Sequence, residues 1–352
     1  MNRLFEAVSC TLDHDVVALG VELPRKRVVG IRYVQLGTVL PVSIYGQIVW
    51  VVNAWSWFIW NRKKVDLVHL QGAYLFNLLA AAILVCLRIP YVLLPINQNG
   101  DLSKSGRTMR VWAFRAVRRA IVRRACAGFA LSEGIADELE EQGLMRDRIR
   151  RIANPVSPEF FQDTSRGEVP QKTLVFVGSL GEQKQPIAVL EALAFLASAF
   201  PPVRAVFAGS FASESYEREF FEAMRRLGVA DRVELLGFVS DVSGVLTGTS
   251  GVFVLPSVSE GSPGALGEAM ALGMVPVVTD IGAMGDIVRQ SGIGRVVEGS
   301  GASIARAVSS LWREPGEWAG MAADSRAYAR SRFSQASVCE SYLRHLEIWG
   351  RR

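Results

Sequence analysis

Apolar positions along the chain fall into two kinds of run. Short, mostly apolar stretches at Val16–Val21, Val65–Leu70, Tyr91–Leu94, Gly128–Leu131 and Ile149–Ile152 read as strands. Longer runs lie between them: Ile44–Trp60, Ala73–Leu87 and a basic stretch before Gly128 read as helices. A second alternating set opens at Thr173. Its strands are 174–178, 203–209, Val233–Leu236, Gly251–Leu255 and Val275–Thr279. Helices are predicted at Pro186–Phe200, Tyr216–Leu227 and Pro263–Leu272, with a short helical piece at Asp241–Thr247. Strands that are apolar without alternation belong to parallel sheets covered on both faces. The pattern therefore predicts an α/β protein with two doubly wound sheets.

Punctuation sets the boundaries. Asn154-Pro155 is a breaker, and the polar stretch Gln162–Gln171 reads as a linker. Predicted units are 1–165 and 166–332, followed by a closing segment, 333–352. Its helix, Gln335–Trp349, is apolar at Val338, Tyr342, Leu346 and Trp349. At 352 residues the chain has room for two or three domains, and its 50% hydrophobic content excludes disorder as the main theme. The four cysteines, Cys10, Cys86, Cys126 and Cys339, form no Cys-x-x-Cys pair and read as free thiols of a reducing compartment. Three dispersed histidines make no metal site. Met1–Leu12 carries Glu6 and lacks the apolar core of a signal peptide.

Charge is uneven. Residues 1–165 hold 21 basic against 14 acidic residues, a formal +7, whereas residues 166–352 carry −2 within the chain's +5. Between Leu102 and Ser132 there is no acidic residue; Arg115, Arg118 and Arg119 share one helical face, as do Arg119 and Arg123, and Arg124 follows. They read either as a solvated face or as a dock for an anionic membrane surface. No nucleic-acid recognition motif accompanies them. Ile44–Trp60 holds Trp50, Trp55, Trp57 and Trp60 ahead of Arg62, Lys63 and Lys64. Aromatics beside cations form an interfacial anchor pattern, while a core helix with its rings turned inward is the alternative. Both long apolar runs fall short of the roughly 20 residues of a spanning helix.

Chemistry concentrates at 255–288. A strand ends at Leu255, and a loop bears Glu260 and Gly261. Ser262 reads as an N-cap and Pro263 as the first helical residue. Gly264, Ala265 and Leu266 then present backbone N–H groups at a helix start, which favours a phosphate, and the glycines allow close approach. Glu268 follows on the same helix. Two carboxylates around an anion-ready helix start suit a ligand with phosphates in the middle and hydroxyl-rich sugars at its ends.

With its flanks, this segment resembles the glycosyl transferases group 1, the retaining glycosyltransferase family 4 of the GT-B fold. Glu260 and Glu268 match that family's Glu-x7-Glu signature, and Glu-Ala-Met-Ala-Leu-Gly-Met-Val-Pro-Val-Val follows from Glu268. The resemblance runs from about residue 12 to the end. It implies two Rossmann-like domains facing across a cleft, with the last helix returning to the first domain. It implies that Glu260 and the backbone from Gly261 to Leu266 meet the donor sugar and diphosphate, and that Glu268 holds the ribose. Residues 176–193 resemble the strand–loop–helix that carries an Arg and a Lys for the diphosphate. Lys184 keeps the Lys after Gly178, but Ser179 stands where the Arg would be.

Other departures lie in the first half. Asn2–Leu12 reads as the helix that follows the family's first strand and Gly-Gly loop, so both are expected to be missing and the first domain truncated. Asp13-x-Asp15 reads as a strand entry rather than a metal ligand pair. Ile96 and Asn97 stand near the family's His, and His69 reads as structural. The implied activity is transfer of a sugar from a nucleotide-diphosphate sugar to a glycan or lipid-linked acceptor with retention, in cell-surface polysaccharide synthesis and without a metal cofactor. The expected setting is cytoplasmic, with the inner leaflet as a candidate docking surface. A degenerate subunit that binds a nucleotide or partner without transfer is the alternative, and an epimerase of similar fold fits the Glu-x7-Glu flanks less well.

Overall fold

The computed structural model describes residues 16–20, 31–35, 44–71, 75–95, 109–161, 172–246 and 251–350. The chain divides into two compact units, 1–153 with 338–352, and 154–337. The sequence put the first boundary at 165/166, whereas the chain changes unit between Ala153 and Asn154. Backbone pairing explains the early change. Val156 N–H donates to Phe333 O at 2.8 Å, and Val156 bridges Ser334, which ties 154–161 to the second unit.

In the first unit β1 (Val16–Gly20) pairs in parallel with β2 (Ile31–Gln35). A four-stranded parallel sheet follows, formed in order by β3 (Val68–Gln71), β4 (Tyr91–Leu94), β5 (Ala127–Ala130) and β6 (Ile149–Arg151). Its helices are α1 (Ile44–Asn61), α2 (Leu75–Leu87), α3 (Met109–Arg124) and α4 (Glu133–Glu141). Ser132 caps α4 by accepting from Ile135 N–H at 3.2 Å. β4 and β5 are buried along their whole length, as unalternating apolar strands require.

The last helix, α12 (Gln335–Gly350), completes this first core. Val338, Cys339 and Tyr342 are buried in it beside Phe129 and Leu131. The Tyr342 ring lies 4.7 Å from that of Phe129 and stacks at 5.5 Å on His69, whose Nδ1 is 3.1 Å from the Tyr342 hydroxyl. His69 is thus placed as a packing residue. Asn2–Leu12, Asp13, Asp15, Ile96 and Asn97 lie outside the described residues.

The second unit is a six-stranded parallel sheet. Its strands are β7 (Thr173–Val177), β8 (Arg204–Ala208), β9 (Val233–Gly237), β10 (Val252–Leu255), β11 (Val275–Thr279) and β12 (Arg295–Val297). Their order is β12-β11-β10-β7-β8-β9. Helices cover it: α5 (Pro186–Ala197), α6 (Glu214–Arg226), α7 (Val242–Leu246), α8 (Gly264–Ala271), α9 (Met284–Ser291), α10 (Gly301–Arg313) and α11 (Pro315–Phe333). α5 packs on α10, and α8 on α11. β7, β10 and β11 are buried throughout, with Phe176, Phe207, Phe220 and Phe253 filling the core.

Candidate functional site

Counted from β7, the second sheet runs 3-2-1-4-5-6, so the order reverses between β7 and β10. In such sheets ligands bind beyond the carboxyl ends of the strands at that reversal. The loops leaving β7 and β10 there are Gly178–Gln185 and Pro256–Pro263, and they are laced together. Val258 N–H donates to Gln183 O at 2.9 Å, and Gln183 Nε2 donates to Ser259 O at 2.8 Å. Lys184 Nζ pairs with Glu260 Oε1.

Backbone conformation aims Lys184. Gly178 ends β7 at φ +147°, and a Cβ there would lie 2.8 Å from Lys184 Cδ. The lysine stem occupies the space that only a glycine leaves open. Gln185 has left-handed geometry, φ 51° and ψ 47°, just before Pro186 opens α5. A non-glycine residue held there costs on the order of 1–2 kcal/mol, which the bonds of this loop hold in place. Among these, Lys184 N–H and Gln185 N–H both donate to Gly181 O, at 3.0 and 3.1 Å.

Glu260 is held from below. Buried Ser257 donates its hydroxyl to Glu260 Oε1 at 3.2 Å, and Thr279 Oγ1 donates to Ser257 O at 2.6 Å. Gly282, at φ +57°, crosses so closely that a Cβ would lie 2.3 Å from Glu260 O and 2.4 Å from Gly261 O. Ala283 N–H then donates to Gly261 O at 2.8 Å. The Lys184 and Glu260 side chains are 19% and 11% exposed, so each charge is largely removed from water and compensated by the other.

α8 starts one residue later than its sequence suggests. Pro263 has ψ 125° and is the N-cap, so Ser262 lies outside the helix and Gly264 opens it. Ser262 fails as a cap because extended Pro263 separates it from the first turn. No side chain caps the helix, and Leu266 N–H donates to Pro263 O at 3.2 Å. Gly264 and Ala265 are partly open to solvent, while Leu266 is buried. Glu268 reaches back toward this start: a Cβ on Gly264 would lie 3.9 Å from Glu268 Oε1. An uncapped helix start with its positive dipole end can receive an anion.

Gly178, Lys184, Glu260, Gly261, Ser262, Pro263, Gly264, Ala265, Leu266 and Glu268 thus cluster on two loops and one helix at the sheet reversal. Ser179 is exposed on the same β7 loop and supplies no charge. Sequence reasoning missed three supports. Ser257 holds the Glu260 carboxylate, Gly282 abuts the Glu260 and Gly261 carbonyls, and Asn154 Nδ2 donates to Ser262 O at 2.7 Å. Asn154 had a signal only as half of the Asn154-Pro155 breaker. Ser257 and Gly282 had none beyond their loops.

The arginines of α3 are not one face. Arg118 is 5% exposed, and its Nε donates to Gln142 Oε1 at 3.1 Å, so it cannot meet a membrane. Burial and the neighbouring Arg115 and Arg119 lower its pKa from the usual arginine value. Arg115 is half-buried, and the stem of Arg123 lies over Gly143. Arg119, Arg123 and Arg124 are exposed.

Residues 159–332 match the family model for glycosyl transferases group 1, and residues 6–155 match the model for a glycosyl transferase 4-like domain. The chain is built of glycosyltransferase domains. Solved structures share the fold. HepE from Anabaena in complex with UDP aligns at a TM-score of 0.73 and 18% identity, over 91% of this chain and 86% of that one. A glycosyltransferase from Rickettsia africae aligns at 0.78 and 15%, over 99% and 94%. WaaG, a glycosyltransferase involved in lipopolysaccharide biosynthesis, aligns at 0.70 and 15%, over 97% and 94%. No curated protein sequence matches the chain. In this glycosyltransferase the group 1 match spans the unit that holds the Lys184–Glu260 pair, and the 4-like match spans most of the other.

Proposed function

We propose that the chain transfers a sugar from a nucleotide-diphosphate sugar to a glycan or lipid-linked acceptor, with retention of anomeric configuration, in cell-surface polysaccharide synthesis. The observation that carries this reading is the Lys184–Glu260 pair beside an uncapped helix start at the sheet reversal. Glu260 and Lys184 take the catalytic places. Lys184 and the Gly264–Leu266 N–H groups stabilise the charge that grows on the departing diphosphate. The bond from the anomeric carbon to the diphosphate oxygen breaks as the acceptor hydroxyl oxygen bonds that carbon on the same face. The hydroxyl proton passes to the leaving diphosphate oxygen.

Glu268 would hold the ribose hydroxyls, and Glu260 would orient the donor sugar rather than act as one of a glycosidase's paired carboxylates. No metal takes part in this proposal. UDP is the first nucleotide to try, because HepE of the same fold was solved with UDP and with UDP-glucose. Calorimetric titration with UDP and GDP, on the wild type and Glu268→Ala, tests the donor site. Binding of one nucleotide that the variant weakens by tenfold or more is expected. Equal binding by both proteins would refute the assignment of Glu268. Retention is read separately, from the anomeric proton coupling of the product. Ser179 in place of a second cation favours the rival reading, a subunit that binds nucleotide without transfer; tight UDP binding with no turnover across donor sugars would establish it.

A further inference from the structure

α1 has two faces of opposite character. Trp50, Ala54 and Phe58 are buried in the first unit's core. Ile48, Val52, Trp55 and Ile59 are exposed by 57, 53, 37 and 51%. Their spacing of four, three and four residues puts them in one stripe about 17 Å long. Trp55 Nε1 donates to Leu79 O of α2 at 3.0 Å, and exposed Leu79 extends the stripe onto that helix. Trp60, 86% exposed, follows Ile59 about 100° round the helix, on the flank of the stripe, and exposed Arg62, Lys63 and Lys64 come next. No acidic residue occurs from Ile44 to Val65.

We propose that this face of α1 docks the protein on an anionic lipid bilayer, lying along the surface with Ile48, Val52, Trp55, Ile59 and Trp60 in the headgroup boundary and Arg62, Lys63 and Lys64 on the lipid phosphates. Charge complementarity selects this occupant. A bilayer bearing anionic lipid offers both an apolar layer and negative charge, which matches an apolar stripe flanked by an aromatic and followed by three cations. A second copy of the chain would bring the same three cations and no acid on this element to meet them. Among the described residues no helix is long and apolar enough to cross a membrane, so α1 lies on the surface. The docking surface is independent of the chemistry proposed above and replaces the arginine face of α3, which buried Arg118 breaks.

Co-sedimentation of the full chain with phosphatidylcholine vesicles, with and without phosphatidylglycerol, tests it. Light scattering of the vesicle-free protein is run in parallel. The wild type is expected to pellet with the anionic vesicles and much less with neutral ones. Ile59→Ser/Trp60→Ser should lower the partition coefficient about tenfold or more. Arg62→Ser/Lys63→Ser/Lys64→Ser should remove the preference for phosphatidylglycerol, again by about tenfold or more. All five side chains are exposed, so unchanged thermal unfolding verifies that the variants are folded. Pelleting that is absent, or that both variants leave intact, overturns the proposal. So does a dimer in solution that Ile59→Ser/Trp60→Ser converts to monomer while the wild type ignores vesicles.

Discussion

Lys184 and Glu260, 76 residues apart in sequence, neutralise one another at the junction of β7 and β10, and Ser257 shares the same carboxylate oxygen. A ligand phosphate at Lys184 must therefore compete with an internal carboxylate. Lys184→Met keeps the stem and removes the charge. It is expected to lower transfer by about 100-fold or more. It should also cost about 1–3 kcal/mol of stability, because Glu260 loses its partner. Lys184→Met/Glu260→Gln should regain most of that stability in denaturant unfolding without regaining activity. If the double variant is as unstable as the single one, the pair is not what Lys184 contributes to folding.

Gly178→Ala places a methyl group 2.8 Å from Lys184 Cδ at a φ that disfavours side chains. The lysine can swing away, so about 1–2 kcal/mol of destabilisation is expected together with a clear loss of nucleotide affinity. Gly209→Ala meets the Gly178 carbonyl at 1.9 Å. Backbone cannot yield as a lysine stem can, so thermal unfolding should show the larger loss at Gly209. Equal melting shifts would contradict the geometry.

His69 makes the first unit sensitive to acid. It is partly buried as a residue, but its Nε2 is sealed from solvent, and burial lowers its pKa from 6.5 to about 4. The unfolded chain therefore binds the proton first. Stability from neutral His69 is complete above about pH 6.5 and falls as the pH drops toward 4, by about 3 kcal/mol in all. Denaturant midpoints from pH 7 to 4 should fall more steeply for the wild type than for His69→Asn. Parallel curves would remove His69 from the acid response.

Arg118→Ser and Arg119→Ser separate packing from surface charge. Arg118 donates to Gln142 inside the first unit and Arg119 is exposed. The first substitution is expected to cost about 1–3 kcal/mol and the second to stay within about 0.5 kcal/mol. Comparable losses in chemical denaturation would contradict the burial of Arg118.

The strands were legible because burial on both faces leaves uninterrupted apolar runs: Tyr91–Leu94 and Val275–Thr279 are strands over the residues the pattern marked. The Arg295–Val297 edge strand was missed, being three residues long and only half-buried. So were the helices from Met284 to Phe333, although Ser300 accepts from Ser303 N–H at 3.3 Å and Pro315 opens α11. In the Trp-rich segment the rings divide, Trp50 facing the core and Trp60 the solvent. Side-chain type cannot separate two tryptophans ten residues apart; only the packing of the helix does. In the candidate site the Glu-x7-Glu spacing marked a segment that the structure places at the sheet reversal. It could not reveal that Lys184 answers Glu260, because strand order brings 178–185 and 256–263 together.

The placement of Tyr342 has a consequence for synthesis. Residues 154–337 form a unit of their own, interposed between the two stretches that make up the other. Emerging from the ribosome, the second unit has all its strands before α12 exists. The first unit begins earlier but closes its core only when Val338, Cys339 and Tyr342 arrive. Until then Phe129 and His69 lack the ring that covers them. The half of the protein translated first is thus the half whose core is completed last, by the final residues of the chain.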